Sequence, residues 1–314
     1  MSSSALTVLM TAYNAMPYIV EAVEGVLCQD FRDFTFLILN NGSTDGTGDY
    51  LKKLERKCMS TSPESLPRLS IIHLENNIGR TAVLNKGLEL VESEFTAIMD
   101  ADDYSFPARL GRQISFMQAN PDVDLLGTDV RYMDSNGKAL REDRFPSAHG
   151  RLRDRLPLYN QFAHSACMYR TEKARAAGGY SSSFSYAQDL ALWVEMLRRG
   201  GRAASIPEVL TCIRMHPGQA TRDAGQRKAR ITDNHRLAEA MLEIPGMSRA
   251  ARQAALLRSA GALFGLGRKS EARERILQGT AEAPLLLFCN PLLWRRIYLE
   301  SVRLFSNLWR KTVG

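Results

Sequence analysis

Over the first 130 residues short apolar runs alternate with longer mixed segments, the pattern of an α/β sheet. Leu6 to Thr11 reads as a buried strand, and Ile19 to Leu27 places apolar residues at helical spacing. Phe34 to Leu39 is a second strand, closed by Asn40-Asn41-Gly42. Ser43-Thr44-Asp45 can cap a helix running toward Lys57. Leu69 to Leu74 predicts a third strand, Thr81 to Val91 a helix, and Phe95 to Met99 a fourth strand. Pro107 then opens a helix to about Asn120, proline fitting a first helical turn.

In open α/β sheets ligands lie outside the carboxyl ends of the strands. Three such ends carry polar clusters here: Tyr13-Asn14, Asn40-Asn41-Gly42 and Asp100-Ala101-Asp102-Asp103. Two carboxylates one residue apart after a strand suit a hard divalent cation, Mn²⁺ or Mg²⁺, that also takes phosphate oxygens. An acidic loop tip in water is the competing reading of that motif alone.

Beyond Gly225 the chain turns rich in Ala, Leu, Arg and Glu at helical spacing, and Pro217, Gly218 and Gly225 mark a break. Charge changes with composition. The chain has 41 Lys+Arg against 34 Asp+Glu, a formal +7. From residue 221 onward there are 17 basic and 8 acidic residues, a net of +9, which leaves the first 220 residues at −2. The surplus therefore belongs to the tail. No groove-reading motif or basic–aromatic stacking pattern accompanies it, so nucleic acid is not an expected partner. Five scattered cysteines without a CxxC pair argue against a disulfide scaffold or structural zinc site and fit a reducing compartment. No apolar run nears the ~18 to 20 residues of a membrane span, and Met-Ser-Ser-Ser lacks the features of a signal peptide. The expected location is cytoplasmic, with peripheral contact at the inner membrane face where the tail allows it.

The segments TAYN, NNGSTDGT, NNIGRTAVLNKG and IMDADDYSFPARLGRQ, followed in order by NPDVDLLGT, HSACMYR, AGGYSSSF, AQDLALWVEMLRRGG and IRMHPGQAT, resemble an inverting family 2 glycosyltransferase of the bacterial surface-polysaccharide type. The resemblance covers residues 5–222 and implies a GT-A fold, a Rossmann-like mixed sheet flanked by helices. Residues 1–222 are then the catalytic domain and 223–314 a helical C-terminal extension. It implies a nucleotide-diphosphate sugar as donor, a UDP-sugar by the family pattern, and a saccharide or lipid-linked saccharide as acceptor. Ala12, Tyr13 and Asn14 would frame the base, Asn41 stands where the family has an aspartate on the uracil ring, and Asn77 lies in the block that closes over the nucleotide. Asp100 would meet the ribose or diphosphate, and Asp102 would bind the metal, with His216 a further ligand. Arg214 would lie near the diphosphate. Asp189 would be the general base. Asn40-Asn41 replaces the usual acidic pair, and Leu84 stands where an arginine is common, with Arg80 nearby to compensate. The processive-synthase motif is missing after Asp189, so one sugar is added per encounter.

Read residue by residue, several positions keep a second meaning. Asp189 also suits a helix N-terminal acid. Trp193 suits core packing as well as sugar contact. His164 and Ser165, placed in a strand, face either an acceptor or the interior. Asp103 supports the loop or caps the next helix, and Asp45 reads as a cap. In the extension, residues 226–280 predict two or three helices broken at Pro245-Gly246 and Gly265-Leu266-Gly267. From Leu292 a basic, aromatic, amphipathic helix suits either an anionic membrane surface or packing on the domain or a second copy. Two other functions compete. A nucleotidyltransferase would need a Gly-rich phosphate loop after the first strand, which Thr11-Ala12-Tyr13-Asn14 is not. A catalytically degenerate sugar-nucleotide-binding or scaffolding module would tolerate Asn40-Asn41, but it gives no reason for Asp100, Asp102 and Asp189 together.

Overall fold

The computed structural model describes residues 4–59, 67–218 and 227–283. The amphipathic segment from Leu292 and the break between domain and extension at 219–226 lie outside the described residues. Four parallel strands form the first half of the sheet: β1 (Leu6–Ala12), β2 (Phe34–Asn41), β3 (Arg68–Leu74) and β4 (Phe95–Asp100). Helices α1 (Ile19–Leu27), α2 (Thr47–Met59) and α3 (Arg80–Leu90) connect them. The chain runs outward from β1 through β2 to β3, then returns to place β4 on the other side of β1. That reversal creates a switch point, the crevice where ligands bind in such sheets.

The second half is mixed. It holds β5 (Tyr104–Ser105), α4 (Arg109–Ala119), β6 (Leu125–Asp134), β7 (Ala139–Asp143), α5 (His149–Arg155), β8 (Met168–Arg170), α6 (Thr171–Ala176), α7 (Gln188–Arg198) and β9 (Ala203–Met215). The sheet order is β3-β2-β1-β4-β8-β6-β9-β5, with β7 paired to β6. Strand β8 is antiparallel to both β4 and β6, while β6 and β9 run parallel. His164 and Ser165, expected in a strand, sit instead in a one-turn 3₁₀ helix (His164–Ala166) just before β8. Their side chains are drawn to the acidic loop, and the turn closes through Ala166 N–H to Ala163 O (2.9 Å).

Strand residues alternate between the two faces, as a pleat requires. Leu9, Leu37, Leu39 and Ile98 share one core with Val83, Leu84 and Leu88 of α3 and Trp193 of α7. Val8, Met10, Phe36, Ile38, Ala97 and Met99 share the other with α1 and α4. Both faces are covered, which explains why these strands read as continuous apolar runs. Each fully buried side chain of this size contributes roughly 1.5–3 kcal/mol. Leu84, which departs from the arginine common at this position in the resembled family, is 2% exposed and belongs to the first core.

The extension holds α8 (Arg227–Met241), α9 (Arg249–Gly265) and α10 (Lys269–Glu282), with the breaks where Pro245-Gly246 and Gly265-Leu266-Gly267 stand. Its packing crosses the expected domain boundary: Leu237 and Met241 of α8 lie in the same core as Leu190, Trp193 and Val194 of α7. Among the described residues no helix is long and apolar enough to cross a membrane.

A polar strut runs through the second core. Arg109, fully buried, donates from Nη2 to Ile98 O (2.8 Å) and Cys167 O (3.3 Å) and from Nε to Gln113 Oε1 (3.0 Å). Gln113 in turn donates to Ala166 O (2.9 Å). The pair ties the end of β4 to the 3₁₀ turn, on which the acidic loop rests. Burial lowers the Arg109 pKa to about 10. Removing one member of such a network leaves buried carbonyls without donors, so Arg109→Ala should cost about 2–5 kcal/mol. Denaturant titration would show it as a lower midpoint; an unchanged midpoint would mean the carbonyls find other donors.

Candidate active site

The register aligns the carboxyl ends of three neighbouring strands: Ala12 is opposite Asn40, and Thr11 opposite Asp100. The loop after β1 is laced to the loop after β2. Asn14 Oδ1 accepts from Thr44 N–H (2.8 Å), its own N–H donates to Ser43 Oγ (3.1 Å), and Ala15 N–H donates to Thr47 Oγ1 (2.9 Å). Asn14 has φ 49°, a left-handed conformation that asparagine adopts more readily than most residues. Asp45 accepts from Thr47 N–H (3.0 Å) at the start of α2, as a cap, and also from Met16 N–H (3.0 Å). Burial opposes the Asp45 charge, but these hydrogen bonds prevail and hold its pKa below the usual value. The lacing leaves Ala12 buried at 2% exposure and Tyr13 48% exposed at the rim, its ring available for stacking.

Asn41 is buried and uses both ends of its amide. Nδ2 donates to Asn77 Oδ1 (2.9 Å), and Oδ1 accepts from Ile78 N–H (3.0 Å). Asn77 Oδ1 also accepts from Gly79 N–H (2.8 Å). Asn41 therefore orders the 77–79 loop, and each amide atom keeps one further bonding position. Gly42 is required here: its φ is +69°, and an added Cβ would lie 2.5 Å from the Asn76 carbonyl carbon.

The acidic loop is the electrostatic centre. Oxygens of Asp100, Asp102 and Asp103 lie within 4.8 Å of one another. Asp100 Oδ1 accepts from His164 Nδ1 (2.9 Å), its backbone N–H donates to Ser165 Oγ (3.2 Å), and Arg80 Nη2 stands 3.7 Å from Oδ2. Burial disfavours the Asp100 charge, but His164, Arg80 and Ser165 outweigh it and hold the carboxyl below the usual range. Asp102 is pushed up, first by burial and then by the Asp100 charge, while His216 Nε2 at 3.0 Å pulls the other way. Asp103, 4% exposed, accepts from Ser165 Oγ and from Arg214 N–H (2.8 Å). Burial and the two other carboxylates push it well above the usual value. Asp103 is thus the buried support of the loop, and Asp100 and Asp102 are its outward pair. Three converging carboxylates that resist sharing negative charge, with an imidazole beside Asp102, fit a hard divalent cation by donor chemistry.

Strand β9 brings in the basic residues, because Cys212 pairs with Tyr104 just after the acidic loop. Arg214, expected beside the diphosphate, is 2% exposed and engaged by protein on all sides. Its Nε donates to Asp102 O (3.0 Å), Nη1 to Ser135 O (3.4 Å) and Nη2 to Glu21, and its guanidinium lies 4.9 Å from the Tyr18 ring centroid. Arg214 braces the acidic loop from behind. His216 stacks on the same Tyr18 ring at 4.7 Å.

Asp189 enters from the first turn of α7. Arg80, whose Nη2 stands near Asp100, has its pKa lowered by burial, but Asp100, then Asp189 and Asp102, outweigh this and raise it. Arg80, one helical turn before Leu84 on α3, is the cation that faces Asp100. His164 proves interior: it is 7% exposed, with Nδ1 hydrogen-bonded to Asp100 (2.9 Å) and Nε2 to Tyr180 Oη (3.1 Å). Trp193 is fully buried, 5.5 Å from Tyr169 and 6.4 Å from His164 between ring centroids, so it is packing and not a sugar contact. Asn85 clamps the Tyr180 backbone through both amide atoms (2.8 Å each). Sequence reasoning assigned no role to Tyr18, Glu21, Arg109, Asn85 or Tyr180. For Arg109 and Gln113 a signal existed, since both fall on the apolar stripe of α4 with Leu110, Ile114 and Met117.

The family model described as "Glycosyl transferase family 2" matches residues 7–176, more than half of the chain. The chain belongs to this family. This family 2 chain is 34% identical over 158 residues to the amylovoran biosynthesis glycosyltransferase AmsE of Erwinia amylovora, a match covering 50% of this chain and 59% of AmsE. Among solved structures it resembles S. aureus TarS 1-349 in complex with UDP-GlcNAc, at TM-score 0.65 and 18% identity, over 87% of this chain and 79% of that one. The mannosyltransferase PcManGT of Pyrobaculum calidifontis, in complex with GDP-Man and Mn²⁺, gives TM-score 0.61 and 19% identity, over 99% of this chain and 89% of that one. These likenesses establish the fold, the GT-A arrangement expected from the motif order.

Proposed function

We infer that this family 2 glycosyltransferase moves one sugar, with inversion, from a nucleotide-diphosphate sugar to a hydroxyl of a saccharide or lipid-linked saccharide during polysaccharide assembly. The observation that carries the reading is the cluster of Asp100, Asp102 and Asp103, with Arg80 beside Asp100, at the switch point of the sheet. The base would lie between Tyr13 and the Asn41–Asn77 pair, framed by Ala12 and Asn14. A UDP-sugar is the favoured donor by the family pattern, with Asn41 in place of the family's uracil-contacting aspartate. Asp102 and His216 would hold Mn²⁺ or Mg²⁺, with Asp100 toward the ribose or diphosphate. Such a cation, when bound, supplies Lewis-acid stabilisation of a departing diphosphate.

The chain's own residues do the rest. Arg80, charged and 45% exposed, offsets negative charge that grows on the leaving side. Asp189 takes the proton of the acceptor hydroxyl as its oxygen attacks the anomeric carbon. His164, locked between Asp100 and Tyr180, fixes the Asp100 carboxylate. A single displacement needs no covalent sugar–enzyme intermediate, and no cysteine or serine nucleophile is invoked.

The test is nucleotide release from UDP-, GDP- and dTDP-sugars in the presence of Mn²⁺. UDP release is expected from at least one UDP-sugar, and EDTA should suppress it. Turnover of none of the three donor classes would overturn the reading. Release from GDP- or dTDP-sugars alone would overturn the base assignment and leave the reaction type standing.

A further inference from the structure

The first helix of the extension reaches the segment that leads to Asp189. From α8, Asp233 Oδ2 accepts the consecutive backbone N–H groups of Ser185 and Tyr186, both at 2.9 Å. Arg236, one turn along, donates from Nη1 to Ser183 O (2.7 Å), and Arg230, one turn back, lies 5.8 Å from the Tyr186 ring centroid. These positions share one helix face. Asp233 is 4% exposed, so its carboxylate is a buried anchor and not a surface acid. Below it Leu237 enters the core that also holds Leu190 and Trp193. Only Ala187 and Gln188 separate Tyr186 from Asp189, and Ala187 is the N-cap of α7. A hydrogen bond to a charged acceptor is stronger than a neutral one, and here two converge on a single oxygen.

We propose that Asp233 is a positioning residue for the transfer step: through the Ser185 and Tyr186 amides, α8 sets the backbone from which Asp189 meets the acceptor hydroxyl. The inference rests on Asp189 being the general base. It gives the extension a part in catalysis without contact with donor or metal, and it accounts for a buried carboxylate facing backbone amides across the expected domain boundary.

The experiment compares full-length wild type, Asp233→Ala, Asp233→Asn and Leu237→Ala, with UDP-GlcNAc, Mn²⁺ and water as the acceptor, and reads UDP release, UDP affinity and amide hydrogen exchange. Misplacing a base by about an ångström costs up to roughly 10²-fold, so Asp233→Ala should lower kcat by about 10- to 100-fold. The donor KM and UDP affinity should stay within about twofold, since uniform binding is untouched. Exchange at Ser185 and Tyr186 should accelerate. Asp233→Asn keeps an oxygen that can accept both amides, and should recover most of the rate. Leu237→Ala, which loses core packing from the same helix, should lower Tm while leaving kcat near wild type at 20 °C, the temperature of assay. Unchanged kcat in Asp233→Ala overturns the proposal, as does an equal loss of UDP affinity or an Asp233→Asn no better than alanine. Wild type inactive toward UDP-GlcNAc and toward the other donor classes would instead overturn the transferase reading, and this inference with it.

Discussion

Asp189→Asn is expected to lower kcat by about 10²- to 10⁴-fold, the contribution of a positioned general base, with nucleotide affinity unchanged. The substitution keeps the size and most of the hydrogen bonding of the side chain and removes only its capacity to take a proton. The competing account makes Asp189 an ordinary acid in the first turn of α7, favoured by the helix dipole. That account predicts something measurably different. A dipole interaction is worth about 0.3–1 kcal/mol of stability, so its loss would shift Tm by a few degrees at most and leave turnover intact. Asparagine near a helix start is also well tolerated. Single-turnover kinetics at saturating donor, with isothermal titration of UDP, separates the two. A fall in kcat matched by an equal fall in kcat/KM marks an interaction made only in the transition state. A variant within about tenfold of wild type would remove Asp189 from the mechanism, since general bases contribute more than that.

Much of the first sheet half was legible because its physics is local. Buried parallel strands read as apolar runs, turn residues punctuate them, and the helix over Ile19–Leu27 has the bounds that its spacing predicts. The rule that ligands sit at strand carboxyl ends was enough to group Tyr13, Asn41 and Asp100 from the sequence, whereas the return of β4 to the far side of β1 was not legible there. Contacts set by distant pairing were not legible. The two-residue strand Tyr104–Ser105 is too short to announce itself, yet its pairing with β9 is what carries His216 to Asp102. The 3₁₀ turn at His164 looked like a strand because it runs straight into the buried strand Met168–Arg170. Its conformation is dictated by side-chain bonds to residues some 60 positions earlier, with His164 on Asp100 and Ser165 on Asp103.

Arg214 shows the same limit in a different form. A motif gives an arginine near the diphosphate, but it does not say which way the side chain points. Glu21, Ser135 and the Asp102 carbonyl, from three distant segments, decide that it points inward. Arg80 shows the reverse: with Leu84 packed in the core, the cation one helical turn earlier is the one that faces Asp100.

Asp102→Asn should move stability and activity in opposite directions. Without a bound cation, three carboxylates within 4.8 Å repel one another, and the Asp102 pKa is raised by burial and by Asp100. A raised carboxylate pKa means that the folded state binds this proton more tightly than the unfolded chain does. At neutral pH the ionised form therefore costs stability, and a neutral isostere removes that cost. His216 offsets part of the repulsion, so the gain in EDTA should be about 1 kcal/mol, well below the ~4 kcal/mol of an uncompensated pair at 4 Å and an effective dielectric of 20. Activity should fall by roughly 10²- to 10³-fold, the scale of losing one preorganised electrostatic contact to a departing group. Mn²⁺ should raise the wild-type Tm, because a ligand bound only by the folded state stabilises it, and should leave the variant nearly unmoved. Thermal unfolding in EDTA and in Mn²⁺, alongside nucleotide release, gives all three readings from one pair of proteins. A variant that keeps both the Mn²⁺-induced Tm rise and turnover would show that the cation, if used, is not held by Asp102.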